Sequence, residues 1–276
     1  MRPLGVRATC GQCLGKARTP SEAGLLGDGM RHGVRAFSLI DVLVTIAVVA
    51  LLIGVMLPGV NQARETTRRI VCASNVRQLG LGVAMYADNS QNRIPYTVFA
   101  RQGHAVEEND LGETLVLRVE GFSESEDSAP VDFWDGLGLL FEGDYLPAPP
   151  VFYCPSHSGD HPFSRYARRW QNDGGEIVGN YQYRGVGPNG ATRLFQIEPA
   201  RSALVADGMR TQLDYSHQRG MNVLRADLAI VWYSDVAGVL RNSLPMEESD
   251  ASSTAMQNAW RQIDRQTAGL DAAGPE

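Results

Sequence analysis

The sequence predicts an α+β fold, a long N-terminal helical spine carrying a small, mainly antiparallel β head, on three observations. Residues 37–57 form a run of 21 in which only Ser38, Asp41 and Thr45 are polar. Helical spacing then persists through Val60, Ala63, Thr67, Ile70, Ser74, Arg77, Leu81 and Met85. Beyond that, short β-like segments are punctuated by Gly and Pro. The clearest is "MNVLRADLAIVWYSD", Met221–Asp235, which reads as two strands about a turn at Ala226-Asp227-Leu228.

The apolar run comes first in the chain's logic. At 1.5 Å per residue, a helix of 21 residues spans about 31 Å, the thickness of a bilayer core. Residues 37–58 are therefore expected to cross a membrane, being too long for a signal-peptide core of roughly 7–15 residues. Residues 1–36 carry a net charge of +4 and the rest of the chain −10, within a total of −6. A basic leader before an apolar helix is expected to stay on the cytoplasmic side, leaving the head outside the cytoplasm, in a bacterial inner membrane. The acidic balance argues against a nucleic-acid partner, and membrane lipid is the expected surrounding. Met30 offers a second start with the short basic leader "MRHGVRA", and translation is expected to begin there.

The spine continues outside the membrane over residues 59–90, through the polar "QARETTRR", and is expected to end near Asp88-Asn89-Ser90 before "NRIP". That makes a single rod of about 80 Å. Residues 91–241 form the head. Within it "TLVLRVE" (114–120) reads as a strand, "FWDGLGLLFEGDYLP" (133–147) as a short helix, and "VFYCPS" as a brief extended piece. A polar loop from His157 to Gly175 precedes strands at "GNYQYRG" (179–185) and "SALVADG" (202–208). Residues 242–276 read as a polar tail with a short helix from Thr254 to Arg265 that contains Trp260 and Ile263.

Asp41 is the anomaly of the apolar run. An acid in a bilayer costs on the order of 2.5–3.5 kcal/mol and normally has a partner. A cut between Ala36 and Phe37 supplies one, because Phe37 then carries a free ammonium one helical turn away, on the same or a neighbouring chain. In these residues, "A-F-S-L-I-D" followed by an apolar helix, the chain resembles the prepilin N-terminal cleavage and methylation motif, usually G-F-T-L-I-E. The resemblance to type IV pilins and type II secretion pseudopilins implies cleavage by a prepilin peptidase after Ala36 and N-methylation of Phe37. It gives Asp41 the acidic position that aligns subunits during assembly, and Pro58 the position where pilin helices kink. Here Ala replaces the usual Gly before the cut, and Asp replaces the one-methylene-longer Glu.

The head resembles the C-terminal part of a large bacterial family of prepilin-like proteins marked by an H-x9-D-G signature. His217 and Asp227 match it, with Leu228 where the family has Gly; "YCPS", "NYQYRG" and "LVADG" are also similar to that family's stretches. The resemblance implies a type IV pilin-like fold. Its implied partners are a prepilin peptidase, other pilin or pseudopilin subunits and a secretion or pilus assembly machinery.

No G-x-S-x-G, H-E-x-x-H or phosphate-binding glycine loop is present, so no catalytic residue is assigned. Asp207, Asp227 and Asp235 at strand ends read as turn formers, without support for Ca²⁺, and no cofactor is expected. His217 and Asn222 are expected to lock the hairpin by satisfying nearby backbone groups, and Phe152, Tyr153, Trp232 and Tyr233 to pack the core. Cys154, His157 and His161 have C-x2-H-x3-H spacing, but Cys10 and Cys13, which could complete a zinc set, fall across the membrane. No metal site is therefore assigned, and a Cys72–Cys154 disulfide tying stem to head is expected instead. The competing functional class is a signal-anchored extracytoplasmic binding module with an uncleaved helix.

Overall fold

The computed structural model describes residues 38–100, 111–123, 129–171, 174–247 and 252–269. The leader, with Cys10, Cys13 and Met30, and the Ala36–Phe37 junction lie outside the described residues. The chain divides into two units, Met1–Ile53 and Gly54–Glu276. The architecture is α+β: one long apolar N-terminal helix and two small antiparallel sheets.

Helix α1 runs from Leu39 to Asn89 and stays helical through Pro58. It starts at a reciprocal cap. The Ser38 hydroxyl accepts from the Ile40 N–H at 3.3 Å, and Asp41 reaches back to the Ser38 N–H at 3.2 Å. It ends where the sequence places the stop. Gln91 and Asn92 adopt φ of 54° and 63°, a conformation amide side chains tolerate, and the Asn92 N–H closes on the Ala87 carbonyl at 2.7 Å. Leu39 to Leu57 expose a nearly continuous apolar surface, and the helix is long and apolar enough to cross a membrane.

The buried stripe of the spine differs from the one read off the sequence. Cys72, Val76, Leu79, Val83 and Ala87 are buried, whereas Val60, Ile70, Leu81 and Met85 face outward. Both stripes keep helical spacing, so periodicity alone does not choose between them. The head chooses. Leu224 packs over Gly80 and Leu140 over Gly82, where the missing side chains let the head approach the helix closely.

The first sheet has the order β2-β1-β3, with β1 at Val116–Phe122, β2 at Val131–Trp134 and β3 at Ile177–Val178. The segment expected to be one helix from Phe133 is divided. Its first two residues end β2, Gly136 turns at φ 52°, and only Leu139–Glu142 forms a helical turn, α2. The expected extended piece at "VFYCPS" is preceded instead by a tight 3-10 turn, Pro149–Phe152, because two prolines preset φ near −65°. A further helical turn, α3 (Phe163–Tyr166), lies within the polar loop.

The second sheet has the order β4-β5-β6-β7: Tyr181–Tyr183, Ala203–Asp207, Gly220–Arg225 and Ile230–Ser234. Every residue of β5 is buried, as suits an interior strand. The β6–β7 hairpin turns where expected. Leu228 itself takes φ 64°, so the turn keeps the left-handed residue that a glycine would supply.

A short helix α4 (Val239–Ser243) and the longer α5 (Ser252–Thr267) close the head. Met256, Ala259, Trp260 and Ile263 of α5 are buried in a second core with Ala203, Ala206, Met221, Val223 and Tyr233. Asp264 accepts from the Ala203 N–H at 2.8 Å and pairs with Arg184 at 2.7 Å. The helix read as part of a polar tail is thus an integral wall of the head.

Candidate functional site

Four side chains from four separate segments converge inside the head. Cys72 comes from the buried face of α1, Cys154 from the loop after the two prolines, Asp207 from the end of β5, and His217 from the segment leading into β6. All four are buried, and their ligand-type atoms lie within 4.8 Å of one another. The Cys72 Sγ contacts Asp207 Oδ1 at 2.7 Å; the His217 Nε2 sits 3.6 Å from both Cys154 Sγ and Asp207 Oδ2.

A second ring of groups orients each of the four. His217 Nδ1 meets the half-exposed carboxylate of Glu65 at 2.6 Å. Asp207 Oδ2 accepts from the Asn222 backbone N–H at 2.7 Å. The Tyr181 hydroxyl lies 3.4 Å from Cys72 Sγ, and the Ser156 backbone N–H bonds Cys154 Sγ. The Asn222 side chain donates to the Arg69 carbonyl at 3.4 Å, and the Arg69 guanidinium lies over the Trp232 ring, 3.3 Å from its centre.

Burial and mutual charge set the protonation of the group. Hydrogen bonding from Cys72 and the neighbouring His217 overcome burial to bring Cys154 down to about 5. Burial pushes the Cys72 thiol well up, and burial together with the Cys154 charge carries Asp207 up to about 7. Burial alone would lower His217, but its bond to Cys154 and the charge of Asp207 raise it to about 9. These shifts favour a charged Cys154–His217 pair beside an uncharged Cys72 thiol. The cluster's donor set is also one that binds a soft divalent cation.

The expected site residues are thus partly brought together. Cys72 and Cys154 meet, as the reading of the thiols requires, but both are free thiols, each hydrogen-bonded within the cluster, and no disulfide joins them. His217 does not lock the hairpin; it points to Glu65 and the thiols. Asn222 serves Asp207 through its backbone and the spine through its side chain. Asp227 remains in the turn, bound to Arg225 and to the Ala229 N–H at 3.0 Å, and Asp235 caps α4 through the Leu240 and Arg241 N–H groups.

The C-x2-H-x3-H stretch does not assemble. His161 spends both ring nitrogens on Tyr166 and Arg210, whereas those of His157 are buried without a partner among the described residues. Phe152, Tyr153 and Tyr233 are core residues as expected, whereas Trp232 is only half-buried and lies under the Arg69 guanidinium. Asp207, read from the sequence as a turn former, instead joins the cluster, and Glu65 is the member the sequence did not reveal, since it lies in no short motif with the others. Asp41, at the other end of α1, caps the first turn.

No curated protein and no solved structure matches the chain. A family model described as SBP_bac_10, protein of unknown function (DUF1559), matches residues 61–212, more than half of the chain and a span that includes Glu65, Cys72, Cys154 and Asp207. With its apolar N-terminal helix and α+β head, the chain belongs to the DUF1559 family, a family of prepilin-like proteins with a pilin-like N-terminal region.

Proposed function

We propose that this protein is a pseudopilin-like structural subunit, cut after Ala36, N-methylated at Phe37, and assembled through its N-terminal helix into a pilus or secretion pseudopilus. The observation that carries this reading is the apolar, exposed first half of α1, with Asp41 its lone charged residue between Leu39 and Leu57. An anchor needs only the apolar length. It has no use for an acid that costs on the order of 2.5–3.5 kcal/mol to insert.

The cap explains part of Asp41, because its carboxylate satisfies the Ser38 N–H. Serine, asparagine or glutamine can also accept such a bond, so capping alone does not require a charge. Cleavage supplies the cation that does. A Phe37 ammonium at the helix start faces the Asp41 carboxylate, and a neighbouring subunit's ammonium can face it equally well, which sets the stagger between packed helices. In this reading the leader stays cytoplasmic and the head lies outside. The prepilin peptidase, other pilin-type subunits and an assembly machinery are the partners.

Asp41→Ala and Asp41→Asn separate the two roles of the acid. Asn retains a capping oxygen without charge. Both variants should insert normally, and both should lose higher oligomers in membrane cross-linking, by about tenfold if the pair contributes about 1.4 kcal/mol per contact. Wild-type cross-linking by Asp41→Asn would leave the helix with no role beyond anchoring.

A further inference from the structure

We propose that Cys72, Cys154, Asp207 and His217 form a tetrahedral Zn²⁺ site that clasps the spine helix to the second sheet of the head. The donor count and types come first. Two sulfurs, one imidazole nitrogen and one carboxylate oxygen make four ligands of the kinds that zinc takes in closed structural sites. They are drawn from α1, the Cys-Pro-Ser loop, β5 and the approach to β6, so a single ion would cross-link segments spread from position 72 to position 217.

The geometry agrees with an ion at the centre. Zn–S of about 2.3 Å and Zn–N of about 2.0–2.1 Å at the tetrahedral angle place S and N about 3.5–3.6 Å apart. The Cys154 Sγ to His217 Nε2 separation is 3.6 Å. The same construction puts N and O about 3.3–3.5 Å apart, and His217 Nε2 to Asp207 Oδ2 is 3.6 Å. The remaining edges fall within 4.8 Å, and the 2.7 Å hydrogen bond from Cys72 Sγ to Asp207 Oδ1 would give way to the ion, so binding requires side-chain shifts of about an ångström.

The supporting shell is what most distinguishes this cluster from a chance gathering of polar groups. Metal-bound histidines almost always give their second nitrogen to a carboxylate or carbonyl, and the outer partners orient the ligands. Glu65 holds His217 Nδ1 in that way and directs Nε2 at the centre. Asn222 N–H holds Asp207, Tyr181 adjoins Cys72, and Ser156 N–H bonds Cys154. Every ligand thus has a fixed outer neighbour.

Charge points the same way. A divalent cation at the centre would compensate the charge of two sulfur ligands and a carboxylate, all held out of water. A pocket lined by Val71, Tyr153, Cys154, His157 and Asn180 opens beside Cys154 and offers a way in.

The full chain, purified in detergent under thiol reductant, tests this directly. After incubation with a slight excess of Zn²⁺ and desalting, elemental mass spectrometry should find about one zinc per chain. Co²⁺ in its place should give the strong visible bands of tetrahedral cobalt and a near-ultraviolet thiolate charge-transfer band. Cys154→Ser should abolish the charge-transfer contribution of one sulfur. Glu65→Gln, at a half-exposed position, should fold normally and bind roughly 10–100-fold more weakly.

Should a cysteine variant fail to fold, the wild-type stoichiometry and cobalt spectrum still decide. Zinc retained well below one per chain, a six-coordinate cobalt spectrum without thiolate charge transfer, or a Cys72–Cys154 disulfide in a parallel sample isolated without reductant would each overturn the proposal. The site lies wholly C-terminal to the apolar span, between Glu65 and Asn222, so these readouts are independent of cleavage and assembly.

Discussion

Replacing Asp264 by alanine tests whether α5 is a wall of the head. Its carboxylate makes two separate contacts: Oδ2 with Arg184 at 2.7 Å and Oδ1 with the Ala203 N–H at 2.8 Å. The pair is largely out of water, with side-chain exposures of 11% for Arg184 and 17% for Asp264. Breaking a buried pair by removing one partner costs about 3–5 kcal/mol, because the other charge stays behind. Arg184 keeps a bond to the Ala203 carbonyl at 3.3 Å and a place 5.6 Å from the Trp260 ring centre, so the lower end of that range applies. Asp264→Ala should therefore destabilise the head by about 3 kcal/mol. Asp264→Asn, which can still accept from Ala203, should cost roughly half as much. The assay is guanidinium unfolding of the full chain in detergent, followed by tryptophan fluorescence, with a lower midpoint at unchanged slope as the signature. A loss below about 0.5 kcal/mol for Asp264→Ala would mean that α5 docks without this anchor.

Three further outcomes follow from the fold. Gly138→Ala should unfold or severely destabilise the head, because a Cβ there falls on the Leu117 backbone carbonyl, which a side-chain rearrangement cannot relieve; near-native melting would refute the close approach of the Gly136–Gly138 turn to β1. Leu228→Gly should stabilise the hairpin by about 0.5–1 kcal/mol, the left-handed strain of φ 64° exceeding the entropy glycine adds to the unfolded chain; a loss of stability would refute the turn. His161 accepts from Arg210 through Nε2 and donates to Tyr166 through Nδ1, and burial with the Arg210 charge brings it down to about 4. The unfolded chain then binds the extra proton below pH 6.5, so stability is full above about 6.5 and falls as pH drops towards 4. His161→Gln should flatten that fall, and parallel wild-type and variant curves would refute it.

Elements whose cause is local were legible in the sequence. The spine's length and its end at Asn89 follow from an apolar run, a sustained period and a pair of amide residues able to turn left-handed. The β6–β7 hairpin follows from two apolar runs about Asp227. The choice of the buried face of α1 was not legible, because two stripes share the helical period and contacts with Leu224 and Leu140 decide between them. The candidate site was half legible: two thiols expected to lie outside the cytoplasm suggested proximity, and His217 stood out within its stretch. Asp207 closes an apolar strand and Glu65 sits in a polar helical stretch. Nothing local joins them to the thiols; only the crossing of α1 over the second sheet does so.

Assembly through α1, as proposed, requires a free chain end at Phe37. Intact-mass and N-terminal peptide analysis of the protein isolated from its native membrane measures that end directly. A mature chain beginning at N-methylated Phe37 is the predicted result. A chain that keeps Arg35 and Ala36 ahead of Phe37 contradicts the account, because the carboxylate of Asp41 would then have no ammonium to meet.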